Sequence, residues 1–168
     1  MHHHPAPQCL RLTDRDGDAL RAVFAGLSER SRFLRFHTGV TCYPDSWWER
    51  LGHVEPGRSD AALAWSGPVP VGHGQWHHVG DGTADLALAV VDAWHRRGVA
   101  SALLDHLVST ARVAGMARFS CWVHPENSAV RQMLLSRGAR HDTDAGAWVL
   151  DLATVCVPAA ASSHEEAA

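Results

Sequence analysis

The sequence predicts an α+β domain, a mixed and mostly antiparallel sheet flanked by helices, and three observations carry that expectation. Residues 60–66, 69–79 and 84–91 are largely apolar runs separated by Gly67-Pro68 and by Gly80-Asp81-Gly82, which is turn chemistry, so they read as an antiparallel meander. Directly after it, GVASALLDHLVSTARVAG (98–115) spaces Val99, Leu103, Leu107 and Ala111 one helical turn apart and ends on Gly115. RFSCWV (118–123) then reads as a strand, so the meander runs into a strand–helix–strand crossover, which makes the sheet mixed.

The other elements follow from the same signals. CLRL (9–12) is a short strand, and Asp14 or Asp16 can cap a helix whose Leu20, Phe24 and Leu27 recur at helical spacing. Ser28 opens a second helix, SERSRFLRF, and PDSWWERLG (44–52) makes a third that stops at Gly52. NSAVRQMLLSRG (127–138) is a helix ended by Gly138, and AWVLDL (147–152) is the last strand, after the polar turn DTDAG. At 168 residues one domain is expected: a disordered N-terminus over 1–8, the folded domain over 9–153, and a disordered C-terminal tail over 154–168, where VPAAASSHEEAA is of low complexity.

Composition excludes several functions. Fifteen Lys and Arg against eighteen Asp and Glu give a net charge of −3, leaving no summed field to hold a polyanion, so nucleic acid is not an expected partner. The apolar runs fall well short of the ~18 residues of a membrane span, and MHHHPAPQ lacks a signal peptide's apolar region; a cytoplasmic setting without a membrane partner is the expectation. Cys9, Cys42, Cys121 and Cys156 show no CxxC spacing, which argues against a disulfide framework or a zinc knuckle. His73, His77 and His78 invite a metal reading, but residues 73 and 77 of a strand lie ~13 Å apart, so these histidines are expected to face solvent or a cleft, with no metal.

WHRRGVASALL (94–104) lies where the third meander strand meets the long helix. A helix amino terminus offers free backbone N–H groups and the positive end of its dipole, and here Arg96 and Arg97 add charge while Gly98, Ala100 and Ser101 leave room, which suits a pyrophosphate. An ordinary strand-to-helix turn, with Gly98 serving only the backbone, carries equal weight on these residues alone.

AVVDAWHRRGVASALLDHLVSTARVAGMARFSCWVHPENSAVRQMLLSRGAR (89–140) resembles the core of the GNAT superfamily of acyl-CoA-dependent N-acyltransferases. The acyl-CoA loop of that family reads Q/R-x-x-G-x-G/A; HRRGVA (95–100) matches it with His95 in the Gln/Arg position, and Asn127 and Gly138 fall where the family has an Asn and a Gly eleven residues later. GLSERSRFLRF, ADLALAVVDAW and Leu134, where many members carry a tyrosine as general acid, resemble bacterial Pat-type protein lysine acetyltransferase domains more closely. The only tyrosine is Tyr43.

The resemblance implies a set of roles. His95, Arg96, Arg97, Gly98, Val99, Ala100 and Ser101 would hold the pyrophosphate of acetyl-CoA, the acyl-donor substrate. The backbones of Val90 and Val91, at a splayed strand end, would meet the pantetheine and the thioester, with Val91 near the carbonyl. Asn127 would donate to the pantetheine or cap the helix beside it. Asp85, where Pat-type domains have a Glu, would be the general base, directly or through a water, since an amine must lose a proton before it attacks; a strand-edge charge is the other reading of Asp85. Asp92 reads as a turn residue, and Trp47 and Trp48 as core, with one indole able to reach substrate. The acceptor is expected to be a protein lysine ahead of a small amine, with no metal required and a homodimer left open. A non-enzymatic acetyl-CoA sensor module is the alternative class, separable by thiol release.

Overall fold

The computed structural model describes residues 7–13, 15–37 and 43–158. Asp14, Cys42 and the tail beyond 158 lie outside the described residues. The chain runs β1 (Gln8–Arg11), α1 (Gly17–Ala25), α2 (Glu29–Phe36), α3 (Asp45–Gly52), β2 (Ser59–Ser66), β3 (Val69–Gly80), β4 (Thr83–Val90), a 3₁₀ turn (Asp92–Trp94), α4 (Val99–Val113), β5 (Arg118–Cys121), α5 (Ser128–Ser136), β6 (Arg140–Asp142) and β7 (Ala147–Asp151). The strands form one sheet in the order β1-β2-β3-β4-β5-β7-β6, and only β4 and β5 run parallel.

Two layers of helix cover the sheet, which is why β2 (SDAALAWS) is apolar almost without alternation. Leu103, Leu104, Leu107 and Val108 of α4 pack on Ala62, Ala64, Trp76, Ala84 and Leu86 on one face. Leu20, Val23 and Phe24 of α1 and Leu51 of α3 pack on Ala61, Leu63 and Ala89 on the other. Strand alternation therefore decides which layer each residue meets. Gly74 lets α4 lie close to the sheet: a Cβ there would come within 2.8 Å of side-chain carbons of Leu107 and Leu88. Trp76 donates its indole N–H to the Thr110 hydroxyl at 3.0 Å, tying β3 to the same helix.

Several boundaries differ from the sequence reading. β5 ends at Cys121 rather than 123. The short β6, whose three residues are all exposed, pairs with β7 as a hairpin that no hydrophobic pattern announces. Gln8 already belongs to β1, and the packed chain passes residue 153: Val155 is 4% exposed and belongs to the α4-side core. The cause is Arg112, which donates through Nε to the carbonyl of Leu152 at 2.7 Å and through Nη2 to that of Val155 at 2.6 Å. Arg112→Leu removes these charge-assisted bonds, so we expect a loss of about 1–2 kcal/mol in denaturant melts and earlier proteolysis after Leu152; unchanged stability and cleavage would show that Val155 is held by packing alone.

Candidate active site

The sheet opens at its centre. β4 and β5 pair only at Thr83–Arg118, Ala84–Phe119 and Asp85–Ser120, and beyond that point they part. Val91 donates its N–H to the carbonyl of Val71 on β3 at 3.0 Å, which makes that register a hydrogen-bonded pair. By the alternation of an antiparallel ladder, the N–H and C=O groups of Leu88 and Val90 then point away from β3, to the side that β5 has left.

The turn at 95–101 stands at the mouth of this opening. Gly98 is the N-cap of α4 with φ 81°, a left-handed conformation that glycine adopts without strain, and Arg96 also has positive φ. Residues 95–98 are exposed, while the buried side chain of Val99 anchors the first turn of α4. The N–H groups of Val99, Ala100 and Ser101 precede the first intrahelical bond, Ala102 N–H to Gly98 O at 3.0 Å. Arg97 stacks its guanidinium over Trp94 at 5.0 Å, and Arg96 reaches solvent. The ring of His95 turns back, its Nε2 2.9 Å from the carbonyl of Val90, and so ties the turn to the end of β4.

Helix α2 spans the opening. At its start, Asp92 accepts from the Ser28 backbone N–H at 3.0 Å, the Ser28 hydroxyl at 2.7 Å and the Ser31 hydroxyl at 2.9 Å, while Ser28 caps the helix by accepting from the Ser31 N–H. A carboxylate at a helix amino terminus also meets the favourable end of the dipole. On the other arm Arg30 pairs with Glu126 at 3.2 Å, and Phe33 and His37 pack edge-to-face on His124 and Trp122, just after β5. Burial alone would raise the Asp92 carboxyl; the bonds from Ser28 and Ser31 and the charge of His95 outweigh it, and the net shift is downward.

Below α2 lies the face that carries Asp85. Asp85 stands opposite His77 in the β3–β4 register, and Gln75 and His73 follow on the same face. Arg35, from the last turn of α2, enters this space with its guanidinium over Phe36 at 4.9 Å and its Nε buried without a partner. The Tyr43 hydroxyl, Gln75 Oε1 and both ring nitrogens of His73 are also buried and unpartnered. Phe24, Phe36, Tyr43 and Trp47 form the aromatic wall, with Tyr43 stacked on Trp47 at 4.3 Å. A cavity of about 780 Å³ adjoins His77, Gln75 and Trp47 and is bordered by Glu49, Glu55 and Arg58.

The charges here are coupled. Asp85 is surface-accessible, yet the protein around its carboxyl raises its pKa, opposed by the nearby charges of Arg35 and His77. Burial pulls Arg35 down to about 10, opposed by Asp85 and Tyr43, so it stays cationic at neutral pH. His73 is fully buried and pushed down to about 3 by burial, Arg35 and His77, so it is neutral. Burial, with Asp85 adding to it, pushes the Cys121 thiol up to about 12, and no thiolate nucleophile forms beside Asp85.

Several sequence expectations change accordingly. His73 faces neither solvent nor an open cleft, because alternation turns it under α1, 5.7 Å from the ring of Phe24. Among the described residues no group of three His, Cys, Asp or Glu is arranged to hold a metal ion. Val91 does not offer its backbone to the opening: its N–H goes to Val71, and its carbonyl accepts from Trp94 N–H at 2.8 Å. Val90 does face the opening, with its carbonyl taken by His95. Asn127 caps α5, accepting from Val130 N–H at 3.3 Å. Leu134 is buried in the core and presents nothing to the site. Arg35 and the clasp on Asp92 escaped sequence reading: one is an arginine among three in a short polar helix, the other a contact across 61 and 64 residues. No described helix is long and apolar enough to cross a membrane.

Comparison with known proteins identifies the family and the fold. The model of the "Acetyltransferase (GNAT) family" matches residues 26–139, more than half of the chain. The GNAT domain of S. lividans PAT superposes with a TM-score of 0.79 at 24% identity, over 86% of this chain and 90% of that one. The protein yncA from Salmonella typhimurium, solved with its cofactor acetyl-CoA, gives 0.68 at 17%, over 88% and 95%. A cAMP-binding acyltransferase from Mycobacterium smegmatis gives 0.59 at 19%, with 90% of this chain covering 44% of that protein. No curated protein matches the chain.

The clasp sets a pH dependence. Because the folded-state pKa of Asp92 is depressed, its contribution is present above the ordinary carboxylate pKa and is lost as pH falls through the lowered value. We expect the protection factors of α2 amides to drop in that acidic window in the wild type, and to be low and insensitive to this titration in Asp92→Ala; α2 amides equally protected in both proteins would contradict the clasp.

Proposed function

The chain belongs to the acetyltransferase (GNAT) family, and from that premise we propose that it transfers the acetyl group of acetyl-CoA to a primary amine by direct attack, with Asp85 as general base. The observation that carries this reading is the alignment of three features along one opening: the amino terminus of α4, the unpaired side of β4, and Asp85 at the point where β4 and β5 part.

The donor is read from the mouth inward. The N–H groups of Val99, Ala100 and Ser101, with Arg96 and Arg97, supply positive potential for the pyrophosphate. The backbone of Leu88 and the N–H of Val90 supply partners for the pantetheine amides. The thioester then belongs near Leu88 rather than Val91, because Val91 is six residues, or ~20 Å, along the strand from Asp85. Asp85 takes one proton from the acceptor ammonium; the freed amine attacks, the C–N bond forms as the C–S bond breaks, and the second proton passes to the departing thiolate. The products are an N-acetyl amine, the CoA thiol and one proton. With the Cys121 thiol held protonated, no acyl-enzyme on that cysteine is needed. The acceptor's source is a protein lysine, as the resemblance implies, or a small amine; a binding module without turnover remains the contrasting class.

Two experiments test this. Gly98→Glu puts bulk and negative charge where the pyrophosphate would lie, and calorimetry should show acetyl-CoA binding abolished in a folded protein; unchanged affinity would mean that the donor binds elsewhere. Asp85→Asn keeps the shape and removes the basicity. Its kcat should drop by roughly 10² to 10⁴ with acetyl-CoA affinity little changed. Because the pKa of Asp85 is raised, wild-type kcat/KM should climb with pH above the usual carboxylate range, and the variant should regain activity at alkaline pH, where the amine is already free. Near-wild-type turnover at neutral pH would remove Asp85 from the role.

A further inference from the structure

The floor of the cleft holds two opposite charges that do not meet. Arg35 and Asp85 lie close enough to shift each other's titration, yet no ion pair joins them among the described residues. Arg35 also keeps Nε buried with no hydrogen-bond partner. A buried guanidinium N–H without an acceptor is costly, and a ligand that brings an acceptor to it would relieve that cost. Two more orphaned polar groups, the Tyr43 hydroxyl and Gln75 Oε1, belong to the same cleft, and the cavity bordered by Glu49 and Glu55 opens beside Gln75 and His77.

We propose that the acceptor carries a carboxylate close to its amine, and that Arg35 receives this carboxylate while the amine lies toward Asp85. The proposal rests on the acetyltransferase reading and names the acceptor class for the same site. A zwitterionic group fits a gap between separated opposite charges: a planar guanidinium matches a carboxylate with directed, charge-assisted bonds. An acceptor bearing only an ammonium would meet the like charge of Arg35 uncompensated. The aromatic wall of Phe36, Tyr43 and Trp47 and the adjoining cavity leave room for the rest of the molecule. The carboxylate comes either from the α-carboxyl of a free amino acid or from an acidic side chain beside a peptide lysine.

The test is thiol-release kinetics on matched pairs: free α-amino acids against their carboxamides, and a short peptide with lysine beside Glu against the same peptide with Gln. At least one carboxylate-bearing member should be preferred, by about 10²-fold in kcat/KM and mainly through KM. Arg35→Met should erase that preference and Arg35→Lys should keep part of it. A contrast in the amino-acid pairs identifies a free amino acid, and one confined to the peptides identifies a flanking side chain. Equal rates within every pair, or a preference that survives Arg35→Met, would overturn the proposal; should Arg35→Met fail to fold, the wild-type contrast decides. Absence of turnover with every amine would count against the acetyltransferase reading instead. Calorimetry of the same pairs on the CoA-bound protein then reads the carboxylate contrast directly, with binding tighter by about 10²-fold expected and equal binding contradicting it.

Discussion

β4 and β5 share only three residue pairs, and the functional geometry follows from that short parallel contact. Parallel strands need a crossover, and here α4 supplies it, packed closely over β3 because Gly74 presents no side chain. The crossover places the amino terminus of α4 at the open end of the strand pair. Where β5 parts from β4, the outward backbone groups of Leu88 and Val90 lose the partner that a continuous sheet would provide. Unpaired strand backbone at the centre of a sheet is the kind of group that an extended ligand with its own amides can complete. Asp85 sits at the last paired position, so the place where regular structure ends is also where a carboxylate meets the opening.

Helix α2 bridges the two arms. It is fixed to the β4 side by three hydrogen bonds to Asp92 and to the β5 side by Arg30–Glu126 and by Phe33 and His37 on His124 and Trp122. It delivers Arg35 from above to the face on which β3 and β4 display His77 and Asp85. The 3₁₀ turn that carries Asp92 leads directly into the turn at 95–101, so one short stretch of chain positions both the start of α4 and helix α2. His95 tightens this by holding the carbonyl of Val90.

Most of the fold was legible because its signals are local. The meander announces itself through Gly-containing turns, α4 through its periodicity, and α2 and α5 through Ser28 and Asn127, each of which makes the cap expected of its residue type. What escaped depends on contacts between distant residues. β6 is three exposed polar residues with no pattern to read. His73 looks like a surface histidine in H-x3-H-H until α1 and Phe24 are seen to cover its face. Val155 lies just before the low-complexity tail, past the expected end of the domain, and its place in the core shows only once Arg112 is seen to reach it. The turn at 95–101 is a contiguous motif legible in the sequence, whereas the charges around Asp85 come from Arg35 on α2 and His77 on β3 and are not. Val90 and Val91 show the limit most narrowly: parity along a strand decides which backbone faces the opening, and the register that sets parity is a tertiary fact.

The central claim, that acetyl-CoA binds along the unpaired side of β4 with its pyrophosphate at the start of α4, is tested most directly by amide-resolved hydrogen exchange with and without acetyl-CoA. The account predicts that the amides of Leu88, Val90, Val99, Ala100 and Ser101 gain protection, while Val91, already bonded to Val71, changes little. Protection absent from Leu88 and Val90, or a gain at Val91 in their place, would contradict it.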